Sequence, residues 1–531
     1  MSDRNKGKRN KKRILKIIGI MLLVLMVITA AVALFLWITV YRTSGNFAHG
    51  KVFQATDKAT VNTTYGTIRG AIDDGVYTYH GIKYGKASER FVPAEKPDTW
   101  SGIRDTVEYG EISPQGAIFG QEPLDYNEGD NDCLNLNLWT PAIGDGGNRP
   151  VMVWFHGGGF SIGSGNDEEY DGHNLAKDED VVVVTVNHRL NVYGFLDLSD
   201  YGDKYKYSAN VGIYDLIDAL DWVRSNAANF GGNPNNTTVF GQSGGGGKIL
   251  ALMTSPYAKG LFDKAIVQSG ATDVQGAVFT DKEVSEYLTE RMLDELSIKK
   301  SNIEDIQYVD NEELQEASVK ALSDTAIEFK IPIEVGEGYA LEWQPVVDGD
   351  FIPTNPITGN TFAKAGFDIP LLIGSNLEEW APYGDQTHEV NSKIENAFGK
   401  AYINEDEDIA GNTDVIVRQP TLKIMKHKAA QGGADVYGYV YTYQSSAAGA
   451  AHSSEIPYVF RNTSENSGLT DMMSGLWTSF ARNGVPSYRG VEKWEPYTAK
   501  TGATMILDEK PYLTYKHDEK LLELINPGYK Y

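Results

Sequence analysis

Residues 240–248 read FGQSGGGGK, and this stretch constrains the chain more than any other. A short apolar run, Thr238 to Phe240, leads into Ser243, which Gly241 and Gly245 bracket. A helical pattern then follows at Ile249, Leu250, Leu252 and Met253. Strand, tight turn, serine, tight turn and helix is the context in which G-x-S-x-G becomes a nucleophile elbow. The turn is too sharp for Cβ atoms on either side, hence the glycines. It also sets the serine at the head of a helix, where free amides favour negative charge. Glycine turns are common, so the elbow acquires a chemical meaning only if the chain also supplies a base, an orienting acid and oxyanion donors.

The surrounding pattern is α/β. Pro150 to Phe160, PVMVWFHGGGF, is an apolar run of strand length ending in a glycine triplet; Val181 to Asn187, VVVVTVN, is β-branched and apolar almost throughout, and Lys264–Val267, Ile369–Ile373 and Val436–Tyr443 resemble further buried strands. Such runs suit strands covered on both faces. Between them, Leu216, Ile217, Leu220 and Val223 repeat at helical spacing. Strands alternating with helices predict a mostly parallel, doubly wound central sheet flanked by helices. Residues 281–330 carry Val284, Leu288, Met292 and Leu296 at helical spacing and are expected to form a helical insertion or lid.

The remaining chemistry lies in three stretches. VWFHGGGF ends a strand in a glycine triplet, leaving the Gly158 and Gly159 amides unobstructed as oxyanion donors beside the amide of Gly244. His452, among nine histidines, follows the run VYGYVYTY in a small-residue loop, where a strand-based hydrolase presents its base. The chain order serine, acid, histidine places the acid between these two, at a strand end. IPLLIGSNLEEW meets that requirement; spacing does not separate Glu378 from Glu379, and Asp348 ranks behind both.

Charge divides the chain. Residues 1–41 hold eight Lys/Arg and one acid, and the other 490 hold 40 Lys/Arg and 71 acids, a net −31. An acidic body of this kind excludes a nucleic-acid partner. Residues 1–16 read as a basic cytoplasmic tail. Ile17 to Val40 is a charge-free run of 24 residues, long enough for a transmembrane signal-anchor helix through a lipid bilayer. A cleaved signal peptide, with Ala31-Val32-Ala33 as the cleavage site, is the competing reading. In either case a polar tether over 41–58 precedes an extracellular catalytic domain over 59–531. The single cysteine, Cys133, excludes an intramolecular disulfide and a cysteine-based zinc site.

The chain resembles the type-B carboxylesterase family, with its para-nitrobenzyl esterases, cholinesterases and non-catalytic neuroligins. The resemblance rests on RFVPAEKPDTW, NDCLNLNLW, VWFHGGGF, VNHRLNVYGFL, GQSGGGGK, PVVDGD, LIGSNLEEW, GAAHSSEIPYVF and LWTSFARNGVPS, in family order over roughly residues 60–500. It implies the α/β-hydrolase fold, with Ser243 as nucleophile, His452 as base and Glu379 as acid. The implied reaction is hydrolysis of a small-molecule ester without metal or organic cofactor. Three positions depart from the family pattern: Gln242 replaces its usual Glu, Gly244 its usual Ala, and Cys133 lacks the cysteine that pairs with it in eukaryotic members. Two alternatives stand beside hydrolysis, a neuroligin-type interaction protein and an acyltransferase or peptidase on the same triad. A cage for a quaternary ammonium would call for Trp, and the loop from Ser113 to Asp132 holds Phe119 and Tyr126 instead.

Overall fold

The continuous apolar runs become the middle of an eleven-stranded sheet. The computed structural model describes residues 53–115, 132–272, 279–332, 338–359, 361–379, 415–446, 449–517, 519–525, 527–528 and 530–531. In chain order the sheet strands are β1 (Ala71–Asp73), β2 (Val76–Lys83), β3 (Asn135–Thr140), β4 (Arg149–Phe155), β5 (Val182–Val186) and β6 (Gly232–Gln242). They continue as β7 (Lys264–Gln268), β8 (Leu371–Asn376), β9 (Val436–Tyr441), β10 (Ala503–Leu507) and β11 (Tyr512–Tyr515). Their spatial order is β1-β2-β3-β5-β4-β6-β7-β8-β9-β10-β11. From β5 to β10 every neighbouring pair is parallel. The pairs at the two margins are antiparallel. This is the α/β-hydrolase fold with a mostly parallel central sheet.

Strand alternation sends successive side chains to opposite faces. On β4, Val151, Val153 and Phe155 join one apolar cluster, and Met152 and Trp154 join the other. The labelled helices are α1 (His173–Glu179), α2 (Val211–Asn226), α3 (Gly244–Thr254), α4 (Lys282–Glu295), α5 (Asn311–Phe329), α6 (Val415–Gln431) and α7 (Ser467–Asn483). Apolar residues of α2, α3 and α6 cover the first face, and those of α1 and α7 the second. Within residues 281–330, Leu288 and Met292 of α4 and Leu314 and Ala317 of α5 enter the same core cluster as α2 and α3. A buried ion pair pins α2 beneath the loop after β5. There Arg189 meets both oxygens of Asp215 at 2.6 and 2.9 Å and gives a third bond to Val92 O at 2.8 Å.

The chain order reverses at β4. It passes from β4 to β5 on one side, then returns through α2 to β6 on the other. Phe155 and Gly241 are register partners, so the loops leaving β4 and β6 emerge side by side. In open α/β sheets such a reversal opens the crevice where ligands bind.

The expected transmembrane helix over 17–40, the basic tail and most of the tether lie outside the described residues, as do Phe119 and Tyr126. Among the described residues, no helix is long and apolar enough to cross a membrane. Cys133 is fully buried, and burial pushes its thiol up to about 12.

Candidate active site

Ser243 sits between the end of β6 and the first residue of α3 with φ 54° and ψ −127°. A non-glycine residue with this backbone is strained, and surrounding bonds hold it there. Its N–H donates to Gln268 O on β7 at 2.8 Å, and its C=O accepts from Gly247 N at 3.1 Å. Gly245 is required because a Cβ there would run into Phe155 O on β4. The serine side chain is half-buried, at the mouth of the crevice between the β4 and β6 loops.

The glycine triplet after β4 is held by its carbonyls. Gly157 O is 2.8 Å from His156 Nδ1, and Gly158 O accepts from Ile162 N at 3.0 Å. Gly158 and Gly159 both have positive φ, 83° and 60°. Across a trans peptide the N–H points opposite to the C=O. Holding the Gly157 and Gly158 carbonyls on one side therefore turns the Gly158 and Gly159 amides to the other. Among the described residues, the amides of Gly158, Gly159 and Gly244 donate to no protein acceptor. Free amides beside a serine at a helix N-terminus suit a developing oxyanion.

Glu379 lies three residues beyond β8 and is fully buried. Its Oε1 accepts from Asn376 N at 2.7 Å, and its Oε2 is 2.6 Å from His452 Nδ1. A backbone bond from His452 N to Glu379 O, 2.8 Å, ties the two loops as well. With Nδ1 bearing its proton toward a carboxylate, Nε2 carries the lone pair a general base needs. That nitrogen lies 3.1 Å from Gln242 Nε2, on the residue preceding Ser243, so the imidazole faces the elbow. No hydrogen bond joins Ser243 Oγ to His452 among the described residues.

The other candidates lie elsewhere. Glu378 accepts from Gln444 Nε2 at 3.1 Å and is partly exposed. Asp348 closes a turn, accepting from Ile352 N at 2.9 Å and Asp350 N at 3.0 Å. Behind Glu379 lies a layer that the sequence did not single out. Asn376 Nδ2 donates to Ala451 O and to Glu455 Oε2, both at 2.6 Å. Glu455 Oε1 accepts from Gln268 Nε2 at 2.9 Å, and Gln268 Oε1 from Trp477 Nε1 at 2.9 Å. Glu455 is fully buried and its carboxyl is raised, first by burial. Lys248, five residues past the serine, is marked in the sequence only as a charged residue between four glycines and the apolar part of the helix.

The model of the carboxylesterase family matches residues 57–406 and 404–523. The para-nitrobenzyl esterase of Bacillus subtilis (strain 168) is 32% identical over 490 residues, covering 86% of this chain and 96% of that protein. Phenmedipham hydrolase of Pseudarthrobacter oxydans is 30% identical over 492 residues, covering 85% and 95%. Among solved structures, an esterase from Clostridium hathewayi that can hydrolyse aliphatic aromatic polyesters superimposes with a TM-score of 0.75. It is 31% identical and covers 90% of this chain and all of its own. Agreement of this extent makes the chain a member of the carboxylesterase family and a carboxylic-ester hydrolase.

Proposed function

We propose that Ser243, His452 and Glu379 form the catalytic triad and that the amides of Gly158, Gly159 and Gly244 form the oxyanion hole. The observation that carries this reading is the 2.6 Å bond from His452 Nδ1 to Glu379, with Nε2 turned to the residue beside Ser243. Ser243 Oγ first displaces the Gln242 amide from Nε2. It then attacks the ester carbonyl as His452 takes its proton, and the tetrahedral oxyanion rests on the three amides. His452 returns the proton to the leaving alcohol, and an acyl-enzyme remains. Water, deprotonated by His452, releases the acid and restores Ser243. Glu379 keeps the imidazole in the tautomer this sequence needs and stabilises the imidazolium. Ser243→Ala should abolish hydrolysis of p-nitrophenyl esters and labelling by a fluorophosphonate while the protein stays folded. Turnover retained in that variant sinks the assignment.

The same reading places the catalytic body outside the cell on a membrane anchor. It rests on the uncharged run from Ile17 to Val40 behind a basic cluster. Protease added to intact cells should cut the full-length protein, and its esterase activity should sediment with membranes. Activity that stays in the soluble intracellular fraction rules the anchor out.

A further inference from the structure

Lys248 is fully buried in the first turns of α3. Its Nζ donates to His156 O at 2.8 Å and to Gly159 O at 3.0 Å. These two carbonyls stand at the two ends of the glycine triplet, one just before it and one on its last residue. All four carbonyls from His156 to Gly159 are thus held, two by Lys248 and two by the loop itself. Neither bond of Lys248 is to a carboxylate, and an unpaired buried ammonium is costly. Its Nζ also lies 5.7 Å from the centre of the Phe160 ring, and the His156 and His188 imidazoles are pushed down first by their burial and then by its charge. Burial likewise pushes the amine down to about 7. A neutral amine still has two N–H donors for the two carbonyls, so the clamp survives the loss of the proton.

Gly244, on the same helix, meets the same loop. A Cβ built on it would run into the Gly159 carbonyl and come within 2.6 Å of Gly159 Cα. The loop therefore lies against the helix where Gly244 carries no side chain, and Lys248 holds it there.

We infer that Lys248 is a positioning residue which, paired with Gly244, seats the oxyanion loop against the nucleophile helix. The inference rests on the triad and oxyanion-hole reading above. By holding the His156 and Gly159 carbonyls, Lys248 fixes both ends of the triplet, and the bonds to the Gly157 and Gly158 carbonyls turn the amides between those ends. Gly244 allows the close approach that this geometry needs. The pair acts on the transition state, because the amides matter most when the carbonyl oxygen becomes an oxyanion.

The test is a double-mutant cycle on p-nitrophenyl acetate, with a trifluoromethyl ketone as the tetrahedral analogue. Lys248→Met keeps the length and apolar bulk of the side chain and removes both donors. It should lower kcat about 10–100-fold with KM changed less than about 3-fold. Affinity for the trifluoromethyl ketone should fall by the same factor. Gly244→Ala should give a similar split by pushing the loop outward. Combined, the two should be no worse than the poorer single variant, since both release the same contact. Full kcat and analogue affinity in Lys248→Met overturn the clamp; fully multiplicative losses in the double variant overturn the pairing. If Lys248→Met does not fold, Lys248→Gln, which can still donate, is read the same way and should retain more activity than Gly244→Ala; less activity overturns the clamp. An inactive Ser243→Ala alongside an unimpaired Lys248→Met rejects the clamp and leaves the triad standing, whereas an active Ser243→Ala rejects the triad itself.

Discussion

Gln242 Nε2 lies 3.1 Å from His452 Nε2, so in the resting protein the lone pair of the proposed base faces a neutral amide. A carboxylate at the same position would act differently, because it cannot donate to Nε2 and would stabilise the imidazolium. Gln242→Glu should therefore make His452 harder to deprotonate. The acidic limb of kcat/KM, measured from pH 5 to 9, should move to higher pH by about 0.5–1.5 units. A limb that stays in place would mean that residue 242 does not reach the base during turnover.

Two adjacent glutamates follow β8, and only one meets the imidazole. Glu379→Gln keeps the shape and favours the wrong tautomer of His452, so kcat should fall about 10³–10⁴-fold. Glu378→Gln, which changes only a bond to the exposed Gln444, should stay within about 3-fold of the parent. Reversal of that ranking in steady-state assays would move the acid to Glu378.

Lys248 links stability to pH with a definite sign. Below about pH 7 its amine holds a proton in both the folded and the unfolded chain. Between about pH 7 and pH 10 the unfolded chain keeps that proton and the folded chain has released it, so this residue makes stability rise with pH. Lys248→Met has no such proton. Its stability relative to the parent, from urea unfolding, should therefore decline by about 1.4 kcal/mol per pH unit across that window. A difference independent of pH would mean the buried amine titrates as an ordinary lysine.

Cys133 is buried, and its thiol is pushed up to about 12, so it is a poor thiolate. The native protein should not react with a disulfide reagent such as DTNB at pH 8 on the minutes timescale, and should release one equivalent of thiol product in denaturant. Cys133→Ala should leave turnover unchanged and cost about 1–2 kcal/mol of stability. Rapid labelling of the folded protein would contradict the burial.

The fold was legible where neighbours in sequence determine it. Runs such as Val182–Val186, apolar but for Thr185, suit strands covered on both faces, and they form the middle of the parallel sheet. The marginal strands were harder to read. Ala71–Asp73 and Tyr512–Tyr515 are short and partly exposed, and they pair antiparallel at the edges. Their register depends on the neighbouring strand more than on their own pattern.

The sequence by itself determined the local chemistry: a strained serine turn, a bare glycine loop after a strand, and an acid and a histidine in the right order. Each is written within a few consecutive residues, where sterics and periodicity act. The tertiary structure decided which glutamate meets the histidine, what stands on the other ring nitrogen, and what holds the glycine loop. Glu378 and Glu379 are equivalent by spacing, and only the loop contacts beyond β8 and β9 bring one of them, Glu379, to His452. Gln242 and Lys248 gain their partners 210 and 92 residues away in the chain. Contacts at such separations follow from how the sheet is ordered, and no local pattern records them.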